Sequence, residues 1–92
     1  MKLYIYSVLM EGGTPPKSVG CIPGLCVAHS LNEAVGIALA YARENCPHYH
    51  VYGPSAVEVD PSKVLAMLKS LDAWEWISNV HKVVDGTLIV KK

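Results

Sequence analysis

Ser30-Leu31-Asn32-Glu33-Ala34-Val35-Gly36-Ile37-Ala38-Leu39-Ala40-Tyr41-Ala42-Arg43-Glu44-Asn45 is the stretch from which the rest of the chain can be organised. Ser30 is a good N-cap, and Glu33 three residues on completes the pattern of a capping box. Leu31, Ala34, Val35, Ala38, Leu39, Tyr41 and Ala42 supply the apolar positions of a helix over about 31–45. Ala34, Ala38 and Ala42 fall at i, i+4 and i+8, a smooth stripe that lets the helix lie close on a sheet. Gly36 costs about 1 kcal/mol against Ala and is read as a second close approach. Pro47 ends the helix near Asn45 or Cys46.

Upstream, Leu3 to Met10 is rich in β-branched and aromatic residues and predicts a strand. Being apolar on both faces, it belongs at the centre of a sheet, with Tyr4 and Tyr6 on one side. Glu11 to Gly24 holds Gly12, Gly13, Pro15, Pro16, Gly20, Pro23 and Gly24, and this density of breakers predicts a long exposed loop. Gly24 to His29 then reads as a short second strand.

Downstream, His48 to Val59 is extended but bent or bulged at Gly53-Pro54. Asp60-Pro61 opens a second helix, Asp as N-cap and Pro at its first position. Val64, Leu65, Met67, Leu68 and Leu71 give that helix its apolar stripe. Ala73-Trp74-Glu75-Trp76-Ile77 alternates and is read as strand, with continued helix as the alternative. Val80 to Val84, Asp85-Gly86 and Thr87 to Val90 form the strongest kind of hairpin signal. The expected fold is a single α+β domain over residues 1–92, in the order β-β-α-β-α-β-β. Its sheet is mainly antiparallel, with both helices packed on one face. The other face is then left for a second copy to cover.

Composition points the same way. Of the 92 residues, 51% are hydrophobic and 17% charged, below the usual quarter, so a domain this small cannot hide all its apolar surface. A homodimer is expected. Eight Lys and Arg balance eight Asp and Glu, without the basic excess on which nucleic-acid binding relies, so no nucleic-acid partner is expected. Three cysteines, Cys21, Cys26 and Cys46, are too few for a disulfide framework. The first ten residues lack the pattern of a signal peptide, and no apolar run is long enough to span a bilayer. A cytoplasmic protein with no membrane association is expected.

Candidate sites are few. Cys46, His48 and His50 invite a metal reading, but no paired ligand spacing accompanies them, and an exposed pair of histidines beside a helix end is favoured. Cys21, in the breaker-rich segment, is the most accessible thiol, yet nothing in the sequence supplies the base or electropositive surroundings that activate one. Lys17-Ser18 follows two prolines rather than the glycine of a phosphate-binding loop. Glu58 and Asp60 stand two apart, but Asp60 is taken up as a helix cap. Trp74 and Trp76, with Tyr4 and Tyr6, are the distinctive remaining resource, divided evenly between core and interface roles. Tyr4, Tyr6, Lys17, Cys21, Trp74 and Trp76 are therefore the candidate contacts to a partner or ligand. No catalytic residue and no cofactor is assigned.

Ala28 to Gly36, followed by Pro47 and by Val57-Glu58-Val59, resembles small uncharacterised bacterial proteins of mobile gene cassettes (the integron type). That resemblance spans about half the chain and implies an α+β domain without implying an activity. Pro23-Gly24-Leu25-Cys26 with Ser30-Leu31-Asn32-Glu33-Ala34 is similar to HicB-type antitoxins, in which a Pro-Gly-Cys turn precedes a capped helix. This chain departs from that pattern by the inserted Leu25, by a shorter path from Cys26 to Ser30, and by lacking a C-terminal DNA-binding helix or arm. The resemblance implies a module that caps a protein partner. The expectation is thus a non-enzymatic interaction or small-ligand-binding module; the alternatives are a HicB-like capping protein and a small metal- or thiol-dependent enzyme.

Overall fold

In the computed structural model, which describes residues 2–12, 18–73, 76–84 and 87–90 (backbone only for Ser18, 81–84 and 87–89), a long hairpin sets the architecture. β1 (Lys2–Gly12) and β2 (Ser18–Ala28) are eleven residues each and pair antiparallel from Lys2 opposite Ala28 to Gly12 opposite Ser18. β3 (His50–Val59) pairs antiparallel on the other side of β1, giving the order β2-β1-β3. β1 is central, as its apolar character on both faces requires. The α+β class and the order of elements stand as read from the sequence.

The exposed loop expected over residues 11–24 is corrected. Residues 11–12 and 18–24 are strand, while 13–17 lie outside the described residues, and the breakers within the strands have positional uses. Pro23 lies on β2, an edge strand, where a missing N–H need not break a ladder. Gly24 faces Tyr6 across the pair, and a Cβ there would overlap the phenol ring. Composition alone could not separate these uses from a loop. The bend expected at Gly53-Pro54 is present: β3 spends one extra residue between Tyr52 and Ser55 against Leu9 to Ser7 of β1, and Gly53 takes φ +57 to do so.

α1 (Leu31–Asn45) is capped as read: the Glu33 amide donates to Ser30 Oγ at 3.2 Å. Ala34, Ala38 and Ala42 are fully buried, and they lie against Tyr4, Tyr6, Val8, Cys26 and Ala28. Gly36 has open space around it, so the close approach assigned to it is corrected. α2 (Pro61–Leu71) starts on Asp60, whose carboxylate accepts from the Ser62 amide at 3.0 Å. It ends on Asp72 in the left-handed region.

The placement of both helices on one face is also corrected. Even-numbered β1 residues pack with α1, whereas Leu68 of α2 belongs to a second cluster with Leu3, Val27, Ala73, Ile77 and Val80. Because side chains alternate along a strand, Leu3 and Tyr4 point to opposite faces, so the helices sandwich one end of the sheet. Of Ala73 to Ile77, read as strand from the sequence, residues 74–75 lie outside the described residues and the others form no strand. Ile77 makes a single parallel bridge to Leu25, and the 77–80 turn leads to β4 (Val80–Val84). β4 and β5 (Thr87–Val90) form the expected hairpin as a separate two-stranded ribbon, while Asp85-Gly86 lies outside the described residues. The ribbon is tied to the sheet edge through Asn79: its Oδ1 accepts from the Val27 amide at 2.9 Å and its Nδ2 donates to the Val27 carbonyl at 2.7 Å. Among the described residues no helix is long and apolar enough to cross a membrane.

Candidate functional site

The sheet has one closed and one half-open face. On the α1 side, Tyr6 and Val8 are sealed at 1% and 0% exposure. On the other side α2 and Ile77 cover only the end near Leu3, Val27 and Val59. Beyond that cover, Ile5 is 48% exposed, Leu9 40%, Val57 66% and Val19 68%. The register puts these four on one face, with Cys21, Pro23 and Tyr52 among them. Met67 of α2 and Trp76 stand exposed beside them and, with Ile5, Gly24, Leu25 and Val64, line an apolar groove of about 440 Å³. Six of the nine exposed large apolar residues among the described ones (Ile5, Leu9, Val19, Val57, Met67, Trp76) therefore lie on or beside this one face.

The charge pattern of this face is as distinctive as its apolarity. Between Leu3 and Leu9 of β1 and their partners on β2 and β3, its side chains are Leu, Ile, Ser, Val, Pro, Cys and Tyr, with no Lys, Arg, Asp or Glu. Glu11 and His50 sit opposite each other at the far end, where His50 also stacks on Tyr52 at 5.4 Å.

A second concavity, of about 590 Å³, lies between the C-terminal half of α1 and the Ser78–Asn79 turn. Ile37, Ala40 and Tyr41 form its apolar wall, and Glu44, Asn45 and Ser78 bring polar groups to it. Ser78 Oγ and the Tyr6 hydroxyl share a hydrogen bond, and the Tyr41 ring meets Tyr6 edge-on at 6.3 Å. Burial raises the Tyr6 pKa above its usual value; Tyr41 and Cys26 add to the rise and the Ser78 bond opposes it. The phenol is therefore a neutral hydrogen-bonding partner, not a base.

The residues singled out in the sequence are scattered. Tyr4 and Tyr6 are core, at 3% and 1% exposure, because the alanine stripe of α1 lies on them; their role as partner contacts is corrected. Cys21 and Trp76 are exposed on the open side. Lys17 and Trp74 lie outside the described residues. Cys46, His48 and His50 do not converge, and among the described residues no group of three or more His, Cys, Asp or Glu is arranged to hold a metal ion. Cys26 is buried, and desolvation, with a smaller contribution from the Glu33 charge, pushes its thiol up to about 11; such a thiol is inert at neutral pH. Ile5 and Leu9 had a signal in the two-sided apolarity of β1, whereas Val57 of β3 and Met67 of α2 had none that set them apart from core residues.

Comparison of the chain with known protein families finds no matching family, and neither curated protein sequences nor solved structures provide a significant match.

Proposed function

We propose that this chain is a non-enzymatic interaction module that self-associates as a homodimer through the open face of its sheet. The observation that carries this reading is the concentration of exposed apolar side chains on that face. Strands of ten and eleven residues rising about 3.3 Å per residue, in three rows about 4.8 Å apart, give a whole face of about 500 Å² in projection, of which α2 and Ile77 cover one end. Met67 and Trp76 add apolar surface beside the part left open.

A second copy is favoured as the occupant because a two-fold contact brings a patch against itself. A charge near the two-fold axis would meet its own copy. A central patch without Lys, Arg, Asp or Glu escapes that repulsion, and a chain of zero net charge adds little at long range. A partner recognised by charge would find nothing there to pair with.

The test is native mass spectrometry across micromolar concentrations, on the wild type and on Val57→Lys. The wild type is expected to be dimeric and metal-free, and Val57→Lys monomeric, since association would bury an unpaired lysine on an otherwise apolar face. A wild type that stays monomeric would reject self-association and turn the search to a heterologous protein on the same face, as the antitoxin resemblance implies.

A further inference from the structure

We infer that the pocket between the C-terminal half of α1 and the Ser78–Asn79 turn binds a small organic cation, an ammonium group carried on a short apolar stem. The inference is independent of the sheet face. It stands on which hydrogen-bonding groups at the pocket are already used and which remain.

Asn79 lines the pocket but its amide is spent, the oxygen on the Val27 N–H and the nitrogen on the Val27 carbonyl. That double bond also holds the turn against β2, so the pocket wall is built rather than loose. Asn45 donates its Nδ2 to the Tyr41 carbonyl at 2.8 Å, which leaves its Oδ1 as the group on offer. Glu44 can only accept while ionised. The Ser78 hydroxyl is tied to Tyr6. What remains among the described lining residues is a surplus of acceptors, with no Lys, Arg or His among them to answer it.

The helix adds its own field. Glu44 and Asn45 are in the last turn of α1, where the backbone carbonyls carry the negative end of the macrodipole. Arg43 stands in the same turn but is not among the lining residues, so a carboxylate or phosphate ligand in the pocket would meet the like charge of Glu44. An ammonium answers that charge, with three donors for the free acceptors. The apolar wall of Ile37 and Ala40 accommodates a short alkyl stem, and the Tyr41 ring, partly buried and set edge-on to Tyr6, adds an aromatic surface to the same wall. A volume of about 590 Å³ is within the range of small-molecule sites.

The experiment is an amide-resolved NMR titration with n-butylammonium chloride at constant ionic strength, run beside n-butanol and sodium butyrate. The expected result is a saturable shift of the amides of Ile37, Tyr41, Glu44, Ser78 and Asn79 with butylammonium alone. Glu44→Gln, an exposed substitution that leaves the remaining spectrum intact, should weaken binding by about fivefold, the upper end of what an exposed ion pair contributes. Equal shifts with the alcohol or with butyrate, shifts centred on Ile5 and Val57, the absence of a saturable shift, or unchanged affinity in Glu44→Gln would each overturn the assignment. None of these outcomes depends on whether the chain dimerises.

Discussion

β1 has two faces of nearly equal apolarity and very different fates. Its even side, Tyr4, Tyr6 and Val8, is shut beneath the alanine stripe of α1. Its odd side begins under α2 at Leu3 but emerges at Ile5 and Leu9. The difference comes from the covering helices rather than from the strand. Three alanines at i, i+4 and i+8 allow α1 to settle along the sheet, so that a fifteen-residue helix seals the tyrosines. α2 is eleven residues long, buries Leu68 alone as a full core residue, and reaches only one end. A strand apolar on both sides implies that both are covered. The open half of the odd face is the part of the fold left uncovered, and it is the surface assigned to the proposed dimer.

That contrast can be broken most directly at its buried side. Tyr6→Ala should cost about 3–5 kcal/mol, as truncations of large buried aromatics do, and should appear as a lowered denaturation midpoint in urea. A loss no larger than that of a surface substitution would mean that the α1 face is not the core. Next in size is Ala38→Leu, which forces a larger side chain between helix and sheet and should cost about 1–3 kcal/mol. Ser30→Ala, which removes the oxygen that accepts from the Glu33 amide, should cost about 1 kcal/mol; an unchanged melting temperature would count against the cap.

The open side should respond differently. Val57→Lys is expected to stay within about 0.5 kcal/mol of wild type in monomer stability, as surface changes usually do. It should nevertheless abolish the rise of melting temperature with protein concentration that a dimer shows. Stability lost equally at every concentration would show Val57 to be core-like and collapse the distinction between the faces.

The two sides also differ in alkali. The Cys26 pKa is raised in the folded state, to about 11, so the folded chain holds a proton that the unfolded chain releases near 9. The contribution is intact below pH 9 and declines as pH rises from 9 towards 11; Tyr6, raised in the same sense, adds to the loss above 10. A thiol reagent at pH 8 should accordingly leave Cys26 unmodified until unfolding, and should label Cys21, exposed on the open face, in the monomeric Val57→Lys variant. Rapid native labelling of Cys26 would contradict its burial.

Much of the architecture was legible because its causes are local. Ser30 with Glu33, Asp60 with Pro61, Pro47 after Asn45 and Asp85-Gly86 between β-prone runs each state a start, a stop or a turn within a few residues. The periodicities of two and 3.6 gave the type of each element between them, and the apolarity of Leu3 to Met10 placed that strand centrally. The breakers of residues 11–24 were misleading for a reason that is equally physical. A glycine in a loop and a glycine under a tyrosine ring have the same sequence signature, and only the pairing of Gly24 opposite Tyr6 distinguishes them.

The sequence by itself determined the elements, their order and the apolar excess on which the proposed self-association rests. Tertiary structure decided the sides: which face α2 takes, that Tyr4 and Tyr6 are enclosed while Ile5 and Val57 are not, and that Asn79 reaches Val27 across 52 residues to build a pocket wall. Alternation along a strand tells which side chains share a face but not which face a helix will cover. That choice depends on long-range packing and connection geometry, and no window of the sequence contains it.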